Sequence, residues 1–215
     1  MKNKKIPNST LLVNFVQRFR QSLRWIDPFD EIVFEYVKLL CGHTNTMTSV
    51  KFSSCANRIV VCSIDAIIRL WDVKSERELM CFKGHAGSVL DVDFSSDDKY
   101  LVSCSKDNII IIWNVNSGKA IKRILHYSKF VHCVQFSPDN QFILSLFNDK
   151  TITLYDVKSE KVFKTFKEYS DYISCAQFSS NGRFVVASLE DKTIRILDIN
   201  SGKELKNIGR TFTFC

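Results

Sequence analysis

The sequence predicts an all-β fold made of four copies of one four-stranded antiparallel sheet, preceded by a short α-helical segment. Two observations support this prediction: landmarks that recur at a fixed spacing, and an alternating hydrophobic pattern inside each recurrence. A chain of 215 residues, of which 45% are hydrophobic, is long enough to bury one sizeable core. The repeat is therefore the unit from which we build the fold.

Four landmarks recur at a spacing of 42 residues, the separation of Trp71 and Trp113, and stay in register through four copies without an insertion. They are a strand-end pair (Trp71-Asp72, Trp113-Asn114, Tyr155-Asp156, Leu197-Asp198), a Phe-Ser pair (Phe52-Ser53, Phe94-Ser95, Phe136-Ser137, Phe178-Ser179), a turn aspartate (Asp65, Asp107, Asp149, Asp191) and a serine (Ser75, Ser117, Ser159, Ser201). Chance does not keep four landmarks in register, so the chain repeats one supersecondary unit.

The second copy shows the strand pattern of this unit most clearly. Its predicted strands are VLDVDF (89–94), YLVSCS (100–105), IIIIWNV (109–115) and AIKRIL (120–125), separated by the polar turns SSDDK, KDN and NSGK. The second and third strands are apolar almost throughout, which predicts that both of their faces are covered. A single four-stranded sheet cannot cover both faces, whereas several sheets packed against one another can.

The repeat unit resembles the WD repeats of β-propellers. It shares with them a Gly-His pair, a Val-x-Phe-Ser strand, a turn aspartate and a terminal Trp-Asp at this period. The resemblance covers residues 42–209 and is strongest in the two copies that begin with Gly42-His43 and Gly84-His85. The copies span approximately 42–83, 84–125, 126–167 and 168–209. Four blades are few for a propeller. Three arrangements therefore remain open: a fragment of a longer propeller, an open arc that needs a second chain, and a compact four-bladed ring.

The resemblance implies a buried, hydrogen-bonded tetrad that ties the third strand of a blade to the loop before its first strand. The matching residues are His85, Ser103, Asp107 and Trp113 in the second copy, and a partial tetrad of His43, Asp65 and Trp71 in the first. Val61 replaces the serine of the first copy, and Tyr127 and Tyr169 replace the later histidines. A serine, a histidine and an aspartate also suggest a nucleophile, but a set that recurs in each copy and loses its serine is typical of scaffolding. We therefore predict no catalytic residue.

The turn aspartates have a role that does not depend on the tetrad. A short side-chain acceptor closes a tight turn by bonding neighbouring backbone N–H groups. Asp149 and Asp191 are therefore expected to keep this role as turn acids in copies that lack the tetrad histidine and tryptophan.

In the family, three positions per blade commonly contact peptide partners: two that precede the strand phenylalanine by six and four residues, and one before the turn aspartate. The resemblance carries these positions to Thr46, Thr48 and Ile64, to Ser88, Leu90 and Lys106, to Phe130, His132 and Asn148, and to Tyr172, Ser174 and Glu190. Phe130, His132 and Tyr172 would then cluster, and clustered aromatic residues are common anchors of protein contacts. The alternative, that they fill the channel of an irregular ring, stays open.

The function that this resemblance implies is a non-catalytic scaffold for protein or peptide partners, with no cofactor, metal site or small-molecule substrate. A net charge of +7 leaves a basic surface for nucleic acid or phospholipid as an alternative, but lysine and arginine are dispersed. An enzyme with a site on the propeller face ranks last. No apolar run is long enough to cross a membrane. Of the eight cysteines, Cys62 and Cys104 recur at the repeat spacing inside apolar runs, as do Cys133 and Cys175, which is typical of small buried core residues. This placement favours an intracellular, cytoplasmic setting, with the nucleus as second choice.

Residues 1–41 do not repeat. Apolar residues recur at helical spacing in STLLVNFVQRFRQSLRWI and again in DPFDEIVFEYVKLL, where Asp27 is a suitable N-cap and Pro28 suits a first turn. This pattern predicts two amphipathic helices. A rival interpretation is that EYVKLL is a strand that closes a ring, because it occupies the slot of a fourth strand before the first Gly-His pair.

Overall fold

The computed structural model of the chain describes residues 42–125, 130–166, 169 and 171–209. These residues form 16 β-strands in four antiparallel sheets, and they contain no helix that is long and apolar enough to cross a membrane. The all-β prediction and the four-stranded unit are therefore confirmed. The helices predicted in residues 1–41, the alternative closing strand and Tyr127 lie outside the described residues.

The strands follow chain order inside each sheet, so each connection within a sheet is a hairpin. Sheet 1 contains β1 Met47–Phe52, β2 Arg58–Ser63, β3 Ile67–Asp72 and β4 Glu78–Lys83; sheet 2 contains β5 Val89–Phe94, β6 Tyr100–Ser105, β7 Ile109–Asn114 and β8 Ala120–Leu125. Sheet 3 contains β9 Val131–Phe136, β10 Phe142–Phe147, β11 Ile152–Asp156 and β12 Val162–Phe166; sheet 4 contains β13 Ile173–Phe178, β14 Phe184–Leu189, β15 Thr193–Asp198 and β16 Glu204–Gly209. The strands predicted for the second copy match β5 to β8, except that β7 ends one residue before Val115.

The β6–β7 turn shows why the strands reverse where they do. Asn108 has a φ of 67°, in the left-handed region that asparagine tolerates better than most residues. Its N–H donates to the carbonyl oxygen of Ser105 at 3.2 Å, and Asp107 Oδ1 accepts the N–H of Ile109 at 3.0 Å. The equivalent turns of the other sheets have a positive φ at Ala66, Lys150 and Lys192.

The hydrophobic core lies between consecutive sheets. We call the face of a sheet that contacts the following sheet its trailing face, and the face that contacts the preceding sheet its leading face. The first core layer packs Val60, Cys62, Ile68, Leu70 and Phe82 of sheet 1 against Val89, Val92, Phe94, Leu101 and Trp113 of sheet 2. Residues one and two repeats later form the layers between sheets 2 and 3 and between sheets 3 and 4. Sheet 2 is therefore covered on both faces, as its apolar strands predicted.

Polar side chains of the first strand in a sheet also bond the first strand of the next sheet. Asp93 in β5 accepts the N–H of Phe136 in β9 at 3.0 Å. One repeat later, Gln135 Oε1 in β9 accepts the N–H of Phe178 in β13 at 3.1 Å. These bonds place equivalent positions of consecutive sheets side by side, so the same ends of the sheets lie together.

Candidate protein-binding surface and its scaffold

Sheet 2 contains a continuous chain of four hydrogen-bonded side chains. Trp113 Nε1–H donates to Ser103 Oγ at 2.8 Å, and Ser103 Oγ lies 2.8 Å from His85 Nε2. His85 Nδ1 lies 2.9 Å from Asp107 Oδ2, which also accepts the N–H of Ala86 at 2.9 Å. The four residues of the predicted tetrad are thus together, and they join β7 and β6 to the loop before β5.

The protonation of this chain follows from burial and hydrogen bonding. Burial lowers the pKa of His85 below its usual value of 6.5, which favours the neutral ring. Burial acts to raise the pKa of Asp107, but hydrogen bonds from His85 and Ala86 outweigh it and keep the pKa below its usual value. The His85 Nδ1–H then donates to Asp107, while Nε2 accepts the Ser103 hydroxyl. Each polar atom of the chain has a partner in this arrangement.

The partial tetrad of sheet 1 is interrupted at its centre. His43 Nδ1 lies 3.0 Å from Asp65 Oδ2, as in sheet 2. Val61 occupies the serine position and offers no polar atom, so His43 Nε2 and Trp71 Nε1 are buried without a hydrogen-bond partner. Leaving a buried polar group unpaired costs about 1–3 kcal/mol. The single change from serine to valine therefore affects two nitrogen atoms.

One backbone hydrogen bond per sheet brings two of the three predicted contact positions together. The donor is the N–H of the residue that precedes the turn aspartate. The acceptor is the carbonyl oxygen of the predicted contact position that lies six residues before the strand phenylalanine. The pairs are Ile64 with Thr46 at 2.9 Å, Lys106 with Ser88 at 3.0 Å, Asn148 with Phe130 at 3.2 Å, and Glu190 with Tyr172 at 2.9 Å. These pairs lie at the same end of the four sheets.

The third predicted position of each sheet coincides with a register shift at the start of the first strand. These residues are Thr48, Leu90, His132 and Ser174. Thr48 Oγ1 donates to the carbonyl oxygen of Val89 at 2.6 Å, while Leu90 packs against the core between sheets 2 and 3. Such irregularities redirect side chains, and here Thr48, Leu90 and His132 turn toward the next sheet.

Two of the three predicted aromatic residues, His132 and Tyr172, lie where sheets 3 and 4 meet. Tyr172 is 44% exposed, and Lys150 Nζ lies 5.3 Å from the centre of its ring, within cation–π range. His132 Nε2 lies 3.1 Å from the carbonyl oxygen of Ile173, the neighbour of Tyr172. Phe130 is half-buried. We call Phe130, His132, Asn148, Lys150 and Tyr172 the junction surface.

Two protein-family models match the chain. The model described as WD domain, G-beta repeat matches residues 34–72 and 76–114, and the model of the anaphase-promoting complex subunit 4 WD40 domain matches residues 136–212. The chain belongs to the WD-repeat β-propeller family. No curated protein matches the chain at the significance threshold. The four sheets are accordingly WD blades, and sheets 1 to 4 are blades 1 to 4.

The WD repeat of the sequence and the blade of the structure are offset by one strand. The match at 76–114 begins with β4, the outer strand of blade 1, and continues through β5, β6 and β7 of blade 2. This WD repeat therefore spans two blades and links blade 1 to blade 2 through the backbone.

Blades 3 and 4 lack the tetrad, and polar residues near its positions make other contacts. In blade 3, Ser145 occupies the tetrad serine position, but its hydroxyl donates to the carbonyl oxygen of Thr153 at 3.0 Å. In blade 4, Arg195 bridges Asp191 at 3.4 Å and Glu204 at 2.8 Å. The sequence analysis missed this bridge. The spacing of Asp191 and Arg195 in the sequence could have indicated an ion pair between them.

The turn acids of these two blades bond the backbone of their own turns. Asp149 Oδ1 accepts the N–H of Thr151 at 3.2 Å, and Asp191 Oδ1 accepts the N–H of Thr193 at 2.8 Å. Both aspartates also accept the hydroxyl of the same threonine. The turn geometry thus persists without the tetrad. It places Lys150, a residue that the sequence analysis did not single out, beside Tyr172.

Proposed function

We propose that the chain is a non-catalytic WD-repeat scaffold that binds a protein or peptide partner at the junction surface. The observation that carries the proposal is the exposed ring of Tyr172 under the ammonium group of Lys150. An exposed aromatic ring beside a cation, at the end of the blades where family members contact peptides, supplies apolar area and charge together.

The hydrogen-bonded tetrad supports a role in scaffolding rather than in catalysis. Ser103 is fully buried, and its oxygen is already engaged by both Trp113 and His85. A nucleophilic serine must reach its substrate, and this hydroxyl has no open side. WD-repeat domains typically act as scaffolds without enzymatic activity, which agrees with this assignment.

An intracellular, cytoplasmic location completes the proposal. The described cysteines are all free thiols, and Cys62 and Cys104 are fully buried at equivalent positions of two blades. Burial raises the pKa of both thiols, to about 12 for Cys62. Such thiols act as small apolar core residues and suit a reducing compartment.

The experiment compares partner capture by two matched double variants of the 215-residue chain. Phe130→Ala with Tyr172→Ala should abolish capture of the proteins that the wild type retains, because it removes both aromatic rings of the junction surface. Leu79→Ala with Ile121→Ala, which truncates two similarly exposed side chains on β4 and β8, should leave capture unchanged. Thermal unfolding should show both variants folded.

Equal capture by the two variants would overturn the proposal. Capture that falls steeply with salt and requires nucleic acid or anionic vesicles would instead support the basic-surface alternative, because binding to phosphates releases counterions.

A further inference from the structure

The outermost strands of blades 2 and 3 carry large apolar side chains on their surface. On β12, Val162 and Phe163 are 53% and 47% exposed, and on β8, Ile121 and Leu125 are each 48% exposed. Both strands are the last of their sheets. The ring of Phe163 packs on that of Phe142, with 4.6 Å between the ring centres, so it is held in its exposed position.

A lysine of β8 brings these two strands together. Lys122 Nζ donates to the carbonyl oxygens of Val157 and Lys158, at 2.5 and 3.1 Å, in the turn that leads into β12. The same ammonium group lies 3.3 Å from Glu160 Oε1. The outer strand of blade 2 and the start of the outer strand of blade 3 therefore lie side by side.

This part of the surface has few free negative charges. The sequence contains no aspartate or glutamate in residues 108–138, which include the whole of β8. Around β12, Asp156 accepts the N–H of Ser159 at 2.6 Å and Glu160 pairs with Lys122, so both carboxylates are engaged. Positive charge is therefore in excess here, although lysine and arginine are dispersed along the sequence.

Blades 1 and 4 differ at the corresponding positions of their outer strands. Arg69 lies 2.6 Å from Glu78 of β4, and Arg195 lies 2.8 Å from Glu204 of β16. Blades 2 and 3 have neither member of this ion pair, because the two positions hold Ile111 and Ala120 in blade 2, and Thr153 and Val162 in blade 3. The apolar and basic character is thus a property of blades 2 and 3 and not of each blade.

Three lysines near the exposed apolar side chains have free ammonium groups. Lys119, Lys158 and Lys161 are exposed, and they make no ion pair within the part of the chain that the structure describes. Lys119 and Lys161 each precede an exposed apolar side chain by two residues. The set that we call the rim surface is Lys119, Ile121, Lys158, Lys161, Val162 and Phe163.

This combination of side chains matches the chemistry of a membrane interface. Apolar side chains enter the boundary between headgroups and acyl chains, while lysines meet negatively charged headgroups. The three free cations are lysines, which are flexible point charges and suit a diffuse negative surface better than the bidentate recognition of single carboxylates on a protein. We propose that the rim surface binds an anionic lipid bilayer, with Val162 and Phe163 entering the interface.

The first measurement is cosedimentation of the 215-residue chain with lipid vesicles. The probe vesicles contain phosphatidylcholine with about 30% phosphatidylserine, and the reference vesicles contain phosphatidylcholine alone. The chain should partition about tenfold or more in favour of the anionic vesicles. The partition should weaken as salt is added, because ions screen the lysines from the headgroups.

Charge-reversal variants test whether the lysines of the rim surface make the contact. Lys158→Glu with Lys161→Glu should weaken the partition by about tenfold or more, because repulsion replaces attraction at the headgroups. Lys74→Glu with Arg77→Glu makes the same change in net charge at the same positions of blade 1 and should weaken it by less than about threefold. The comparison separates a local contact from the effect of total charge.

Apolar variants test whether the side chains enter the bilayer. Val162→Ser with Phe163→Ser should weaken the partition by about tenfold, whereas Leu79→Ser, at the position of Phe163 in blade 1, should not. Phe163→Trp keeps an aromatic ring at this position, and its fluorescence should be quenched by lipids that carry bromine on their acyl chains. Leu79→Trp should not be quenched beyond the wild-type signal.

The junction surface provides an independent control. Phe130→Ala with Tyr172→Ala should bind the anionic vesicles as the wild type does, because neither residue belongs to the rim surface. Failure of partner capture at the junction surface and failure of lipid binding are therefore separate outcomes.

Three results overturn the proposal. The first is equal partition into anionic and neutral vesicles. The second is an equal loss in Lys158→Glu with Lys161→Glu and in its blade 1 control, because total charge then explains the binding. The third is full binding by Val162→Ser with Phe163→Ser or an unquenched Phe163→Trp, because the contact is then a charge attraction that any polyanion, including nucleic acid, would satisfy.

Discussion

At the scale of single residues, the serine position decides whether a WD tetrad is complete. The hydroxyl of Ser103 bonds both His85 and Trp113 in blade 2. Val61 removes both bonds in blade 1, so one apolar side chain leaves two buried nitrogen atoms unpaired. Buried polar atoms are rarely unpaired, and a substitution that supplies a partner should recover free energy.

Val61→Ser should stabilise the chain by about 1 kcal/mol. Two new hydrogen bonds, to His43 and Trp71, should outweigh the loss of about 1–2 kcal/mol of apolar burial. Chemical denaturation measures the difference in the free energy of unfolding. The control is Val61→Ala, which loses similar burial without adding a donor or acceptor and should destabilise by about 1–2 kcal/mol. Equal stability of the two variants would contradict this account.

The free energy of unfolding that is lost in His85→Ala should depend on pH. The pKa of His85 is lowered by burial, so its contribution to stability is complete above its usual value of 6.5 and decreases as the pH falls below that value. The variant should lose about 1–3 kcal/mol at pH 7.5, because Asp107 and Ser103 lose a partner. The loss should be smaller at pH 5. A loss that grows toward low pH would show that the wild-type ring is stabilised in its charged form.

At the scale of the strand, β5 combines core packing with polar bonds to the next blade. Val92 and Phe94 enter the core, while Asp91 and Asp93 point to the first strand of blade 3. Burial raises the pKa of Asp93 to about 7, although nearby Lys51 opposes this effect. In blade 3, Gln135 makes the equivalent bond with a neutral amide. A negative charge at Asp93 is therefore not needed for the bond.

The free energy of unfolding that Asp93→Asn gains over the wild type should increase as the pH rises. The folded-state pKa of Asp93 is above its unfolded value, so the wild type loses stability from about pH 4 to pH 7, whereas asparagine stays neutral. The variant should be more stable than the wild type by more than about 1 kcal/mol at pH 8, and by less at pH 5. Asp139→Asn, in the exposed β9–β10 turn, is the control. A difference between Asp93→Asn and the wild type that does not change with pH would contradict the assignment.

Local and long-range features of the blades differ in how well the sequence predicted them. The strands β5 to β8 were predicted almost to the residue, because alternation and turn residues act within a hairpin. The bonds from Lys122 to the next blade were not predicted, because they depend on the displacement between two sheets, which a repeat spacing does not encode. The position of Lys150 beside Tyr172 was not predicted for the same reason, because it depends on how sheets 3 and 4 are displaced from each other.

At the scale of the whole molecule, the blades form a series with unlike ends. The leading face of blade 1 is buried, while the trailing face of blade 4 is apolar and exposed together with Lys206. The junction surface lies at a separate place, where the loops of blades 3 and 4 meet. The exposed loops and the exposed sheet face are therefore two separate features of the described blades.

The most direct test of the central claim is photo-crosslinking from the junction surface in cells. A benzophenone amino acid replaces Tyr172 in one chain and Ile121, which is similarly exposed on β8, in another. The account predicts discrete protein adducts from position 172 and none from position 121. Adducts from position 121 with none from position 172 would show that the partner binds elsewhere and would contradict the claim.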